Sequence, residues 1–326
     1  VDNTVINTMS SKATSDRKRK PTAEVPEAVV SIDNQINKKF RRVISAISPA
    51  SAVASSPDST EVSSTANAAS AGTISASNDS MESIGQMIQD LFCSENYKVN
   101  AALGPLNMEL NKDKKKCDKI QAVGGCLALV HLLNNRLDKV IDEIPACDQV
   151  IELNELAELT TLHKTLSVII RLTFLHEESK VGITAIGGVE AVVKVMKTFP
   201  RCQTLQEYAC RALANLTYKN VTGKKQAIES DGCLVLVQLV NNCLDMAIDR
   251  ISACDQVTDF NEYAELMTLD DALYAITNLT LNHDESRVGI TAIGGVEAVV
   301  KIMKTFPKCQ ILQASACRAF GNLLCS

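Results

Sequence analysis

The sequence predicts an all-α fold, a solenoid of stacked helical repeats behind an N-terminal tail, and three observations carry that prediction. The chain copies itself: Val181-Gly182-Ile183-Thr184-Ala185-Ile186-Gly187-Gly188-Val189-Glu190-Ala191-Val192-Val193-Lys194 returns unchanged as Val288 through Lys301, 107 residues later. Between 181–216 and 288–323, 29 of 36 positions are identical. A fixed period marks an array whose units bury their apolar faces only by stacking on neighbours. Within the period, apolar residues recur at helical spacing. Finally, residues 1–80 are Ser/Ala-rich with scattered charge, a composition that cannot offset its ordering entropy and predicts disorder.

The clearest unit spans 181–223. A short helix, expected over about 179–186, ends at Gly187-Gly188, which suits a sharp turn. Val189, Val192, Val193 and Met196 then form one stripe at i, i+3, i+4 and i+7. Pro200 closes that second helix. The third carries Leu205, Ala209, Ala212, Leu213 and Leu216 at i, i+4, i+7, i+8 and i+11. The rhythm is short, medium, long.

On these residues the chain resembles the armadillo repeat family. The short helix, the Gly-Gly break, the helix at Val189–Lys194 and the run Ala209-x-x-Ala212-Leu213-x-Asn215-Leu216 carry the resemblance, and Lys224-Lys225-Gln226-Ala227-Ile228-Glu229-Ser230-Asp231-Gly232 is similar to the family's first helix. The resemblance implies a right-handed α-solenoid of armadillo-like three-helix repeats over 81–326. The expected division is a partial repeat at about 81–116, then 117–180, 181–223, 224–287 and 288–326, after a disordered tail at 1–80 carrying basic clusters. The units alternate between 64 and 43 residues, where an armadillo repeat runs about 42. About 22 extra residues therefore fall near 136–157 and 243–264. Leu137, Val140, Ile141 and Ile144 keep helical spacing, as do Leu244, Ala247, Ile248 and Ile251, so each insertion is expected to add an amphipathic helix. Its polar side is acidic, with Asp138, Asp142, Glu143, Asp148, Glu152 and Glu155 in one copy and Asp245, Asp249, Asp255, Asp259 and Glu262 in the other.

Composition narrows the function classes. The chain is 46% hydrophobic with 4% aromatics and no Trp, so its core is aliphatic. The net charge of −5 divides into +4 over residues 1–44 and −9 beyond. An acidic body argues against nucleic acid as the main ligand, because phosphate binding needs a basic face. The same split would let the basic tail contact the acidic solenoid intramolecularly. The twelve Cys show no Cys-x-x-Cys spacing, and Cys126, Cys210, Cys233 and Cys317 fall at apolar helical positions, which reads as free buried thiols in a reducing compartment. The four His lack paired metal-ligand spacing, and no cofactor or metal is expected. No apolar run approaches the ~20 residues a bilayer needs, and no secretory signal is seen, so an intracellular protein is expected, cytoplasmic, nuclear or both. The start at Val1 and the finish within a helical pattern at Cys325-Ser326 look like those of a fragment.

No motif points to catalysis. Gly124-Gly125, Gly187-Gly188 and Gly294-Gly295 are repeat turns rather than phosphate-cradling loops, and there is no Gly-x-Ser-x-Gly elbow. The expected role is a non-enzymatic scaffold or adaptor. The resemblance implies that third helices line a groove for extended peptides, gripped by Asn215, Asn278 and Asn322, whose carboxamides suit peptide backbone. Arg171 and Pro105 occupy that position in the earlier units. One turn before, where import adaptors of the family place Trp, stand Ser167, Arg211, Tyr274 and Arg318. Arginine there favours carboxylates or phosphates, so an acidic or phosphorylated segment is the expected ligand. Two other roles stay open: a nuclear transport adaptor, disfavoured by the absent Trp, and a structural spacer or dimerising solenoid. The tail run Arg17-Lys18-Arg19-Lys20 resembles a nuclear signal.

Overall fold

The structure, a computed structural model, describes residues 82–110, 115–143, 157–250 and 264–325. The tail, with Arg17, Lys18, Arg19 and Lys20, lies outside the described residues, as do Ile144, Asp148, Glu152, Glu155, Ile251, Asp255, Asp259 and Glu262. Among the described residues there are fourteen helices and no strand. A half-unit is formed by α1 (82–90) and α2 (Asn96–Leu110). Four triplets follow: α3 (Lys115–Ala122), α4 (Gly125–Glu143) and α5 (Ala157–Leu175); α6 (Glu177–Ala185), α7 (Gly188–Thr198) and α8 (Gln203–Thr217); α9 (Val221–Glu229), α10 (Gly232–Arg250) and α11 (Ala264–Thr280); α12 (Asp284–Ala292), α13 (Gly295–Thr305) and α14 (Gln310–Leu324).

Local chemistry sets these boundaries. Gly187 adopts φ 84° and Gly294 φ 85°, the left-handed conformation that turns the first helix into the second. The glycine after each is needed for a different reason. A Cβ on Gly188 would lie 2.7 Å from the Ile183 carbonyl oxygen, and one on Gly295 2.8 Å from that of Ile290. The first helices α6 and α12 begin a little earlier than periodicity suggests, because His176 and His283 cap them. Each Nδ1 accepts from the backbone N–H of Ser179 (3.2 Å) or Ser286 (3.3 Å) and lies 2.8 Å from the serine hydroxyl.

Like packs on like along the array. The third helices follow one another (α2 on α5, α5 on α8, α8 on α11, α11 on α14), and the second helices do the same from α4 through α7 and α10 to α13. Between the two rows runs the aliphatic core, including Leu133, Ile169, Val192, Leu213, Leu236, Leu273 and Val299, all fully buried. Buried lysines tie one layer to the next. Lys180, on α6, donates to the Tyr218 carbonyl at 3.2 Å, and Lys224, on α9, donates to the Leu281 carbonyl.

The insertions differ from expectation. Their first parts are not separate helices but continuations of α4 and α10, each 19 residues long against 11 in α7 and α13. Leu137 and Val140 continue the phase of Leu129 and Leu133, and Leu244 and Ala247 that of Leu236 and Val240, all of them buried. Ile141 and Ile248 stay exposed. The first acidic residue of each insertion pairs across to the next second helix, Asp138 with Lys194 at 2.6 Å and Asp245 with Lys301 at 2.9 Å. Lengthening also gives α10 an 18-residue stretch, Gly232–Asp249, of mean hydropathy 1.3, apolar enough by length and composition to cross a membrane, which corrects the expectation that no such run exists. Much of it is spent on the core, since Leu236, Val240, Leu244 and Ala247 are fully buried.

Candidate peptide-binding face

The third helices α5, α8, α11 and α14 bring Arg171, Asn215, Asn278 and Asn322 to corresponding positions. Each carboxamide donates to the helix before it. Asn215 Nδ2 bonds the Ile170 carbonyl at 3.1 Å, Asn278 Nδ2 that of Ala214 at 3.1 Å, and Asn322 Nδ2 that of Thr277 at 3.0 Å. In every case the acceptor immediately precedes the matching position of the preceding helix, so the ladder fixes inter-repeat register. Asn215 and Asn278 are buried, 9% and 3% exposed, while Asn322 is half-buried. Each carboxamide thus commits one of its two N–H groups to the preceding helix, and the ladder is in the first place a tie between repeats.

A second carboxamide row, which periodicity does not single out, extends the contacts on α2. Asn96, Asn100 and Asn107 donate to Glu158 Oε1 (2.6 Å), Thr161 Oγ1 (3.0 Å) and Ser167 Oγ (3.1 Å) of α5. Ser167 is thereby engaged in the stack. Pro105 lies within α2 and is exposed, and lacking an N–H it makes no intrahelical bond to the Ala101 carbonyl.

One turn before the Asn ladder, Arg211, Tyr274 and Arg318 have different surroundings. Arg211 bridges two repeats. Its Nε donates to Asp271 Oδ1 at 2.9 Å, and its terminal nitrogen lies 2.9 Å from Glu207 Oε1. Its guanidinium also stands over the Tyr208 ring, 5.7 Å from the centroid, and Tyr208 meets His163 edge-on at 4.2 Å. Burial pushes the Asp271 carboxyl up to about 6 against the pull of Arg211, and burial raises Glu207 as well. Two carboxylates share one arginine there, and Asp270 beside them accepts from the Ser315 hydroxyl. Asp271 lies 60 positions from Arg211 and has no local sequence signal, whereas Glu207 stands four residues before Arg211 on the same helix.

Arg171 and Arg318 make no ion pair among the described residues. Arg318 lacks the arrangement of Arg211: Ala314 stands where Glu207 does, and among the described residues no third helix follows α14 to supply a counterpart of Asp271. Tyr274 is 42% exposed, and beside this row Phe174 is exposed to 75%, an aromatic that falls off the apolar stripe and so gives no pattern signal. The face therefore offers two unpaired guanidiniums and exposed rings around a neutralised arginine, beside a largely buried carboxamide row.

The thiols divide by position. Cys126, Cys210 and Cys233 are buried, but Cys317 is exposed, which corrects its reading as a buried thiol. Its twin Cys210 sits in the stack between α8 and α11, and no described helix covers α14 in the same way. Among the described residues no group of three or more His, Cys, Asp or Glu is placed to hold a metal ion.

No family model matches the chain, and no curated protein matches it. Solved structures do resemble it. The armadillo repeats only protein (ARO) from Plasmodium falciparum aligns with a TM-score of 0.52 at 12% sequence identity, covering 80% of this chain and 100% of that one. A designed armadillo repeat protein in complex with the peptide (KR)4 aligns with a TM-score of 0.43 at 16% identity, covering 74% of this chain and 99% of that one. At such identities the likeness is one of fold. With its three-helix units, Gly-Gly turns and stacked third helices, the chain has the armadillo-type helical-repeat fold.

Proposed function

We propose that this chain is a non-enzymatic scaffold that binds an extended segment of a partner protein along the third-helix face. The observation that carries this reading is the row of Asn215, Asn278 and Asn322. Each spends one N–H on the preceding helix, which orients the carboxamide and leaves its second N–H and its oxygen as the groups for a peptide backbone. Such contacts give affinity with little side-chain preference. Preference then rests on Arg171, Tyr274 and Arg318, since Arg211 is already neutralised by Glu207 and Asp271. Two unpaired guanidiniums favour carboxylates or phosphates, so the expected segment is acidic or phosphorylated and avoids a negative charge near Asp271. The tail run Arg17–Lys20 supports a nuclear or nucleocytoplasmic setting by its composition alone.

The test uses an array of acidic, phosphorylated and basic peptides probed with the full chain, followed by charge reversal at Arg171→Glu and Arg318→Glu. Both residues lie outside the core, so the melting temperature should hold. Binding of acidic or phosphorylated peptides should fall at least tenfold in the double variant. Unchanged binding, or a preference for basic peptides, contradicts the reading.

A further inference from the structure

Four apolar residues occupy matching places near the ends of successive third helices. Met108, Phe174, Tyr218 and Leu281 each follow the ladder position of their helix (Pro105, Arg171, Asn215 and Asn278) by three residues. The residue just before each faces inward. Asn107 bonds Ser167 of the next helix, while Thr173, Thr217 and Thr280 are buried and donate back to their own helices. Helical phase therefore turns the next side chain outward. Met108 is 61% exposed, Phe174 75% and Tyr218 38%, with Leu281 half-buried. The 107-residue copy keeps the apolar character, since Leu281 is the counterpart of Phe174. Because α2 packs on α5, α5 on α8 and α8 on α11, each step presents one such side chain. Single exposed apolar residues are ordinary on a surface; an aligned row marks a binding surface.

The row is held in place and narrow. Buried Lys180 donates to the Tyr218 carbonyl, and buried Lys224 to that of Leu281. Lys219 Nζ lies 5.2 Å from the centroid of the Tyr218 ring and makes no ion pair among the described residues. On one side the row is bordered by the ladder with Arg171, and on the other by Glu109, Lys219 and Asn282. A strip one side chain wide fits a single extended chain, whereas a second folded copy needs a broad patch of about 800 Å². Packed helices lie about 8–10 Å apart, and an extended or polyproline-like segment advances about 3.1–3.4 Å per residue, so successive rungs meet every third residue.

We propose that this row anchors large aliphatic or aromatic side chains, one in three along the sequence, of the same acidic or phosphorylated segment that faces Arg171 and Arg318, a reading that rests on third-helix binding. The residues between the anchors carry the negative charge and meet Arg171 and Lys219 beside the row. Apolar anchors then select the partner among acidic segments, which charge alone does not distinguish.

The experiment titrates fluorescein-labelled (EEL)4 into the full chain, with (EES)4, of equal length and charge, alongside. The leucine peptide should bind at least tenfold more tightly. Met108→Gln with Phe174→Gln should bring it down to the affinity of (EES)4 without lowering the melting temperature, since both side chains lie largely in solvent. Arg171→Glu with Arg318→Glu should weaken both peptides and preserve their ratio. Equal binding of the two peptides, still sensitive to the arginine reversal, overturns this proposal and leaves third-helix binding standing. A leucine preference that survives the double Gln variant places the apolar contact elsewhere and overturns it as well. Binding of neither peptide removes the acidic-segment reading and this proposal with it. A dimer in sedimentation that the double Gln variant dissociates would show the row covered by a second copy, which also overturns it.

Discussion

Arg211 on α8 reaches across a repeat boundary to Asp271 on α11, its Nε 2.9 Å from Asp271 Oδ1, while Glu207 holds the other side of the guanidinium at 2.9 Å. One cation between two largely buried carboxylates leaves negative charge uncompensated inside the stack. The consequence is a pH-dependent stability.

Asp271 titrates near 6, above the ordinary carboxylate value of 3.8, so the folded chain holds this proton more tightly than the unfolded chain. The stabilising contribution is complete below about pH 4 and is lost as pH rises through 6. Its full size is on the order of 3 kcal/mol. Burial shifts Glu207 in the same direction. The Asp271→Asn variant should therefore lose less stability than the parent between pH 4.5 and 7.5, measured by urea unfolding at each pH. Equal slopes would contradict this account of the cluster.

The Asn ladder should behave as a set of inter-repeat ties graded by burial. Asn278→Ala deletes an inter-repeat bond at a site only 3% exposed, although the Ala214 carbonyl keeps the Tyr218 N–H, and should cost about 1.5 kcal/mol. Asn322→Ala, at a half-buried position, should cost less than about 1 kcal/mol. Chemical unfolding of the two variants side by side checks the order.

The Gly-Gly turn divides into two roles that mutation can separate. Asp231 already holds the left-handed conformation, φ 62°, at the equivalent of Gly187. Gly187→Asp should thus cost about 1 kcal/mol or less. Gly188→Ala drives a Cβ to 2.7 Å from the Ile183 carbonyl oxygen and should cost about 1–3 kcal/mol. Comparable urea midpoints for the two variants would refute the distinction.

How much of this is legible in the sequence depends on range. Gly187-Gly188, Pro200 and the stripe from Val189 to Met196 act within one unit, and their pattern locates the helices they delimit. The caps at His176 and His283 are local too, but histidine is an unusual capping residue, so the His-x-x-Ser spacing carries little weight in a sequence. The insertions read as separate helices for a different reason: the family's usual repeat length places a boundary where the chain has none. Leu137 lies in phase with Leu133, and Leu244 with Val240, so each stripe marks one long helix rather than two. The candidate site is legible in its positions and not in its pairing. Glu207, four residues before Arg211, is a local hint of pairing, but nothing near Arg211 in sequence indicates Asp271, 60 residues on.

Thiol reactivity tests the stack independently. Cys317 is exposed whereas its twin Cys210 is buried with its thiol pushed well up by burial. Brief maleimide treatment of the native chain, followed by peptide mapping, should label Cys317 and spare Cys210 until denaturant is added. Labelling of both at similar rates would mean that α8 and α11 do not pack as described.

The central claim is that partners bind the third-helix face, and site-directed photo-crosslinking addresses it most directly. A benzophenone side chain placed at Tyr274, 42% exposed on α11, is compared with one at Val288, 68% exposed on the first helix α12, using the tightest peptide from the array. The account predicts a covalent adduct from position 274 and none from position 288. Crosslinking from 288 alone, or equally from both, would contradict it.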